Sequence, residues 1–320
     1  MPPRVVPIRR TKPTRLDRAL AEELEGSESR SSVARLIRAG CVRVNGAPAK
    51  PSTEVGPADE VLVDFPEPEP SRLEAEDLTI GIVHEDEHLV VVDKPAGMIT
   101  HPAGPIRTGT LVNALLHRFG GLSAVGGGLR PGIVHRLDKG TSGLLVVARD
   151  DETHRRLARQ LAERTLSRTY VAVAWGRVTP EERVIDAPIG RHPRDRKRMA
   201  VVEGGKEART RVRVRHATDL ASVLEVDLET GRTHQIRVHL TWAGHPLVGD
   251  AGYGGRRRAL AGTPRAVRRD ADRLLDRIGR PALHAWRLRF VHPWTGEDVR
   301  CEAPVPPDVD AVVRFVRAAG

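Results

Sequence analysis

Residues 132–148, GIVHRLDKGTSGLLVVA, set a knot of charge between two apolar runs. Ile133 and Val134 read as the end of one strand, and Leu144 through Ala148 as another. Between them stand His135, Arg136, Asp138 and Lys139, followed by Gly140, Thr141, Ser142 and Gly143. A carboxylate threaded between segments that bury themselves is costly unless a partner meets its charge. A cation brought to Asp138 from elsewhere in the chain would offset that cost.

One is available in ETGRTHQIRVHLTWAGHPLVGD, residues 229–250. Thr233 reads as the cap of a helix that turns Ile236, Leu240 and Ala243 inward and ends at Gly244. Arg237 sits beside that apolar stripe, half buried and in need of an anion. An opposite charge within about 4–6 Å would keep the aspartate ionised. Tyr170, one of only two tyrosines, begins the strand TYVAVAWG after the helix that follows Asp138, and a ring there can stack on a flat substrate. Each residue also has a plainer use: Asp138 as a turn cap, Arg237 as a surface charge, Tyr170 as core packing.

Other candidates are weaker. HEDEH, residues 84–88, has metal-ligand residue types, but five consecutive residues leading into a strand cannot converge on one ion, so a charged turn is expected. Ser142 before Gly143 reads as a turn residue rather than a nucleophile.

The 320 residues suggest two domains. With 52 Lys plus Arg against 42 Asp plus Glu, the net charge of +10 favours a polyanionic partner, nucleic acid ahead of an anionic membrane surface. A soluble protein of basic habit fits the same balance. Cys41 and Cys301 have no metal-ligand or disulfide-framework spacing and fit a reducing compartment. The opening MPPRVVPIRRTKPTR lacks the apolar run of a secretion signal, and no stretch approaches about 18 apolar residues. A cytoplasmic protein is expected.

Residues 1–13 read as a flexible basic tail. From Thr14, a capping residue, Leu16, Leu20 and Leu24 mark one helix face. A second helix opens at Ser31 or Ser32, turns Val33, Leu36 and Ile37 inward and stops at Gly40. In CVRVNGAPAK, Asn45-Gly46 is a two-residue hairpin turn, and VLVDF closes the unit as a strand. Arg15, Arg18, Arg30, Arg35, Arg38 and Arg43 are left outside, either to neutralise phosphates or simply as a solvated face. The proline run PEPEPS, 66–71, reads as a linker. Beyond it, strands (HLVVVDKPAGM, TYVAVAWG, the valine–arginine alternation from Thr210 to Arg215) are interleaved with helices (TLVNALLHRF, and ETHRRLARQLAER capped by Asp150 or Asp151). That pattern gives an α+β class, with domains at 14–70 and 71–320.

The run RPGIVHRLDKGTSGLLVVAR resembles the signature of the RluA-type pseudouridine synthase family. The likeness continues in order through DKPAGM with HPAG, GTLVNALLHR, IDAPIGRHPRDRKRMAV, ETGRTHQIRVHLTWAGHPLVGD, ALHAWRL and HPWTGE. The helix–helix–hairpin unit resembles the S4 RNA-binding module, an arrangement similar to the large-ribosomal-subunit synthase D branch. His84 stands where the family pattern has an aromatic residue, and Gly140 where Asp is common. The resemblance implies a mixed, mainly antiparallel catalytic sheet, and isomerisation of specific uridines in large-subunit (23S) ribosomal RNA. It implies Asp138 as nucleophile at ribose C1′ or as base for the C2′ proton. Arg237 would pair with Asp138, and Tyr170 would stack on the uracil and assist loss of the C5 proton. His135, Arg136 and Lys139 would bind substrate, Arg136 filling the gap left by an extruded base; His135 fits backbone or phosphate support equally well. Arg15, Arg18, Arg35, Arg38 and Arg43 would meet RNA phosphates, with RHPRDRKR and RRRALAGTPRAVRRDADR as further contacts. The reaction needs neither cofactor nor metal. The expected partner is ribosomal RNA or its precursor particle, met by a monomer with no membrane role. Transfer RNA as substrate, or a non-catalytic RNA-binding assembly factor, are the alternatives.

Overall fold

The computed structural model describes residues 3–10, 12–24, 30–65, 73–195, 197–256 and 265–319. They fall into two compact units, 1–72 and 73–320. The linker expected at PEPEPS lies outside the described residues, as do residues 257–264 and Arg196 of the two basic stretches.

In the first unit, strands β1 (Arg4–Val6), β3 (Val42–Val44), β4 (Ala47–Pro48) and β6 (Val61–Val63) form a small antiparallel sheet, and β2 (Thr14–Arg15) pairs β5 (Glu54–Val55). Helices α1 (Leu16–Glu23) and α2 (Arg30–Arg38) pack the expected leucines, Val33 and Ile37 against Val42, Val61 and Val63. The turn between β3 and β4 is Asn45-Gly46, with φ of 51° and 77° at the two residues, as the sequence pair requires. Three expectations are corrected. Residues 4–8 are not a tail, because β1 pairs β6 and Val6 and Ile8 are buried in the core. Thr14 does not cap α1; it is held in the β2–β5 pair and donates its hydroxyl to Lys12 O, and the helix starts without a side-chain cap. The second helix begins at Arg30 rather than at a serine.

The second unit is built on a nine-stranded sheet in the order β11 (Glu182–Asp186), β14 (Arg209–Ala217), β15 (Ala221–Leu228), β10 (Ser167–Trp175), β16 (Leu283–Val291), β9 (Ser142–Ala148), β8 (Leu89–Lys94), β7 (Gly81–Glu85), with β17 (Asp298–Glu302) also on β16. A separate hairpin joins β12 (Ile189–Arg191) to β13 (Met199–Val201). Every pairing is antiparallel except β9 with β16. The helices are α3 (Leu111–Phe119), α4 (Asp151–Ala162), α5 (Gln235–Trp242), α6 (Arg265–Leu275) and α7 (Pro307–Ala318). Strands β8 and β9 read as unbroken apolar runs because both their faces are covered. Val90, Val92, Leu145 and Val147 share a cluster with Leu111 and Leu115 of α3 and Ile236 and Leu240 of α5. Leu89, Val91, Leu144 and Val146 share another with Leu157 of α4. Further along the sheet, Val173 and Trp175 meet α6 and α7.

Two local features place the loop that carries Asp138. Ile133 and Val134 do not end a strand: Ile133 makes one isolated bridge to Val147, and its N–H turns back to Arg130 O. Residues 134–141 are thus loop, leaving their backbone groups for other partners. Gly143 then pairs Ala285 in the parallel β9–β16 ladder at φ 111°, where a Cβ would stand 2.2 Å from the Ala285 carbonyl oxygen. Only glycine allows the two strands to close there.

Candidate active site

The loop before β9 is fastened on both sides. Thr100 donates its hydroxyl to Leu137 O at 2.8 Å and accepts the Leu137 N–H at 3.3 Å. Gly97 N–H reaches Lys139 O at 2.7 Å, and Arg280 donates to Gly140 O at 3.1 Å. Within the loop, His135 is buried and accepts the Val146 N–H on Nε2 at 3.3 Å. Burial first, then the charge of Arg168, pushes its pKa down to about 3, so the ring is neutral. Lys94 of the DKPAGM run is fully buried and donates to Pro95 O and Met98 O; burial lowers its pKa to about 8.

Arg237 comes to this loop from α5. The helix starts at His234, which is in the left-handed region at φ 58° and gives no side-chain cap. Thr233 is therefore not the cap. Gln235 fixes the start instead, accepting from Arg232 N–H and Thr230 Oγ1 and donating to Arg209 O and Thr210 Oγ1. Arg237 Nη1 then donates to Asp138 Oδ2 at 3.1 Å. Its Nε and Nη2 form a fork on Asp250 at 2.7 and 2.9 Å. Asp250 is 1% exposed and also accepts the N–H groups of Gly252 and Tyr253. Burial opposes the arginine's charge, yet the bonds and charges of Asp250 and Asp138 hold its pKa above the ordinary value. The Tyr253 ring lies under the guanidinium at 4.7 Å, and its hydroxyl bonds His234 Nδ1 at 2.8 Å. His234 Nε2 stands 3.8 Å from Asp138 Oδ1. Asp138 is thus oriented by a cation that is itself locked by a second, deeper carboxylate.

Tyr170 is 4% exposed on β10 and lines with Asp138 a cleft of about 580 Å³, whose wall also includes His101, Arg136, Arg168 and Arg232. A smaller recess of about 50 Å³ adjoins it, lined by Asp138, Tyr170, His234 and Arg237. Burial pushes the Tyr170 phenol above its ordinary pKa; the Arg168 charge opposes this and that of Asp138 adds to it. The structure therefore brings Asp138, Tyr170 and Arg237 together. Arg136 is exposed in the cleft wall. Lys139 is exposed and lines neither recess; its carbonyl, not its ammonium, is used. Asp250, Tyr253, His234 and Arg168 were not marked by sequence reasoning. Asp250 and His234 lie inside the motif 229–250, but no periodicity singles them out.

In the first unit, Arg15 and Arg30 both pair with Asp17, and Arg18 with Glu22. Arg35 donates to Ser32 Oγ. Arg38 and Arg43 are exposed, and among the described residues no carboxylate pairs with either. Of the arginines read as facing outward, these two are the least engaged.

Residues 88–242 match the RNA pseudouridylate synthase family, and residues 14–61 the S4 domain. The chain is 43% identical over 309 residues to the RNA pseudouridine synthase YlyB of Bacillus subtilis, covering 97% of this chain and 96% of that one. It is 45% identical over 305 residues to the ribosomal large subunit pseudouridine synthase D of Nitrosomonas europaea, covering 95% and 84%. Among solved structures, human RNA pseudouridylate synthase domain containing 4 superposes with a TM-score of 0.56 at 25% identity, over 74% of this chain and 93% of that one. No described helix is long and apolar enough to cross a membrane. A clamped aspartate in a cleft, these matches and the leading S4 domain lead to one conclusion: the chain belongs to the RNA pseudouridine synthase family and is an isomerase that converts uridine in RNA to pseudouridine.

Proposed function

We propose that the enzyme modifies uridines of large-subunit ribosomal RNA, with Asp138 acting at the ribose of a uridine extruded into the cleft. The observation that carries this reading is the clamp: Arg237, forked onto Asp250, presents a third N–H to Asp138 beside the Tyr170 ring. A carboxylate so held is oriented before substrate arrives, which is where much of an enzyme's advantage arises. It acts either on C1′ as nucleophile or on the C2′ proton as base; both routes need it charged and close to the sugar. Tyr170 supplies the flat apolar surface for the uracil. Extrusion costs a few kcal/mol, roughly, and least in loops and unpaired strands. Contacts from Arg136 at the cleft and from the S4 domain offset that cost. The ribosomal target is supported by the relatives named large subunit pseudouridine synthase D, which match over nearly the whole chain, S4 domain included.

The test is tritium release from transcripts carrying C5-tritiated uridine. Release from large-subunit fragments and none from transfer RNA transcripts is expected; the reverse pattern would overturn the target. Such a role belongs in the cytoplasm, where the free Cys41 and Cys301 stay reduced.

The S4 arginines give a second expected result. Replacing Arg38 and Arg43 together by Ala should weaken RNA binding across sequences and reduce the slope of log affinity against log salt by about 1–2, since each phosphate contact released removes somewhat less than one counterion. Replacing Arg15 and Arg18, which already hold Asp17 and Glu22, should change the slope less. Filter binding at several salt concentrations checks both, and equal slopes in all three proteins would show that this face does not meet RNA.

A further inference from the structure

Just behind the inner wall of the cleft, two hydrogen-bond donors have no acceptor among the described residues. Because His135 Nε2 accepts the Val146 N–H, the proton of the neutral ring resides on Nδ1. That Nδ1–H lies in a residue 9% exposed and has no partner among the described residues. Beside it, Arg168 is 7% exposed; among the described residues its Nη2 reaches only the Leu228 carbonyl, at 3.4 Å, and its Nε has no acceptor. Among the described residues no carboxylate pairs with Arg168. Gly231 leaves the guanidinium its room, since a Cβ there would stand 2.8 Å from Nη1. A buried cation and a buried donor left open are both costly to the folded enzyme. An acceptor that arrives with substrate explains why they are there.

Depth identifies the acceptor. Arg136 and Arg164 are exposed in the cleft wall, where a phosphate can reach them. Arg168 precedes Tyr170 by two residues on β10; both line the cleft and are buried to a similar degree. With the ribose at Asp138 and the uracil against Tyr170, the group that reaches Arg168 is the base.

We propose that Arg168, together with the Nδ1–H of His135, binds a carbonyl oxygen of the target uracil and stabilises the uracil anion formed during isomerisation. This rests on the reading above, that the cleft of Asp138 and Tyr170 receives the extruded uridine. When the C1′–N1 bond breaks, its electron pair leaves with the base and spreads over N1 and the carbonyl oxygens. The charge is quenched when C5 bonds to C1′ and a proton passes from C5 to N1. The anion is common to both routes open to Asp138, so Arg168 serves either. Donors fixed in a dry pocket before charge develops are the arrangement that favours such an anion most.

The test uses the full-length enzyme and a large-subunit stem-loop transcript that it modifies. Arg168→Gln should lower the single-turnover rate by about 10²–10³-fold, the scale for losing one such donor, while the salt slope of RNA binding is unchanged. The wild type should bind the uridine transcript more tightly than the same RNA with an abasic ribose at the target, and Arg168→Gln should bind the two alike. Arg168→Lys should recover part of the rate. Arg168→Met should melt no lower than wild type, since an unpaired buried cation is removed, and it should repeat the Gln kinetics in a folded protein. A wild-type rate for Arg168→Gln would overturn the proposal. So would an equal loss of affinity for both RNAs with a smaller salt slope, which would make the ligand a phosphate. If Asp138→Asn keeps turnover, the underlying reading fails; if it is inactive while Arg168→Gln is fully active, only this inference fails.

Discussion

Asp138→Asn is expected to abolish tritium release while leaving RNA affinity within about threefold of wild type. The amide has nearly the carboxylate's shape, and Arg237 Nη1 can still donate to its oxygen, so the loop keeps its seat between Thr100, Gly97 and Arg280. What is lost, on the proposed role of Asp138, is the charge that attacks C1′ or takes the C2′ proton. Removing a reacting group from a preorganised site costs about 10⁴-fold or more in rate. Binding should change little because the proposed phosphate contacts lie elsewhere, at Arg136 and the S4 arginines. Single-turnover assays with saturating enzyme separate the two effects. A variant within about tenfold of the wild-type rate would show that residue 138 is not the reacting group.

Arg237→Met is expected to lose both activity and stability. It leaves Asp250, 1% exposed, with two backbone N–H groups and no cation. Breaking a buried pair by removing one partner costs about 3–5 kcal/mol, which for a unit of this size lowers the melting temperature by on the order of 10 °C. The double variant Arg237→Met/Asp250→Leu should regain most of that loss, because no charge is then stranded, yet remain inactive because nothing orients Asp138. Calorimetry on the three proteins checks the non-additivity. If the single variant melts with the wild type, the Asp250 fork is not what secures the clamp.

The pairing of Asp138 with Arg237 was legible because each residue posed half of one electrostatic problem: a carboxylate in a loop between apolar runs, and a guanidinium beside an apolar stripe. The second half of the clamp was not. Asp250 lies 13 residues after Arg237 in an irregular segment, where no period distinguishes a buried carboxylate from a turn residue. Arg168 was hidden for a related reason. It reads as a polar position at a strand's start, and only the lack of a described carboxylate within ion-pair reach, a tertiary fact, makes it unusual. Errors at element ends share one cause. Thr14 and Thr233 have the chemistry of caps, but strand pairing in one case and the Gln235 network in the other claimed the backbone groups a cap would satisfy. Val6 and Ile8 alternate as a strand should, yet surrounding prolines and arginines masked so short a signal. The α+β class followed from interleaved periods, whereas the strand order did not, because pairings such as Gly143 with Ala285 join residues far apart in sequence.

A structure of the full-length Asp138→Asn enzyme bound to a stem-loop transcript that the wild type modifies is the most direct measurement of whether a uridine leaves its strand to meet this residue. The target nucleotide should be out of its stack, with its base against Tyr170 and its C1′ or C2′ about 3–3.5 Å from the residue-138 side chain. A target uridine still stacked in the RNA, or one whose sugar lies well away from residue 138 while another carboxylate approaches it, would contradict the catalytic role given to Asp138.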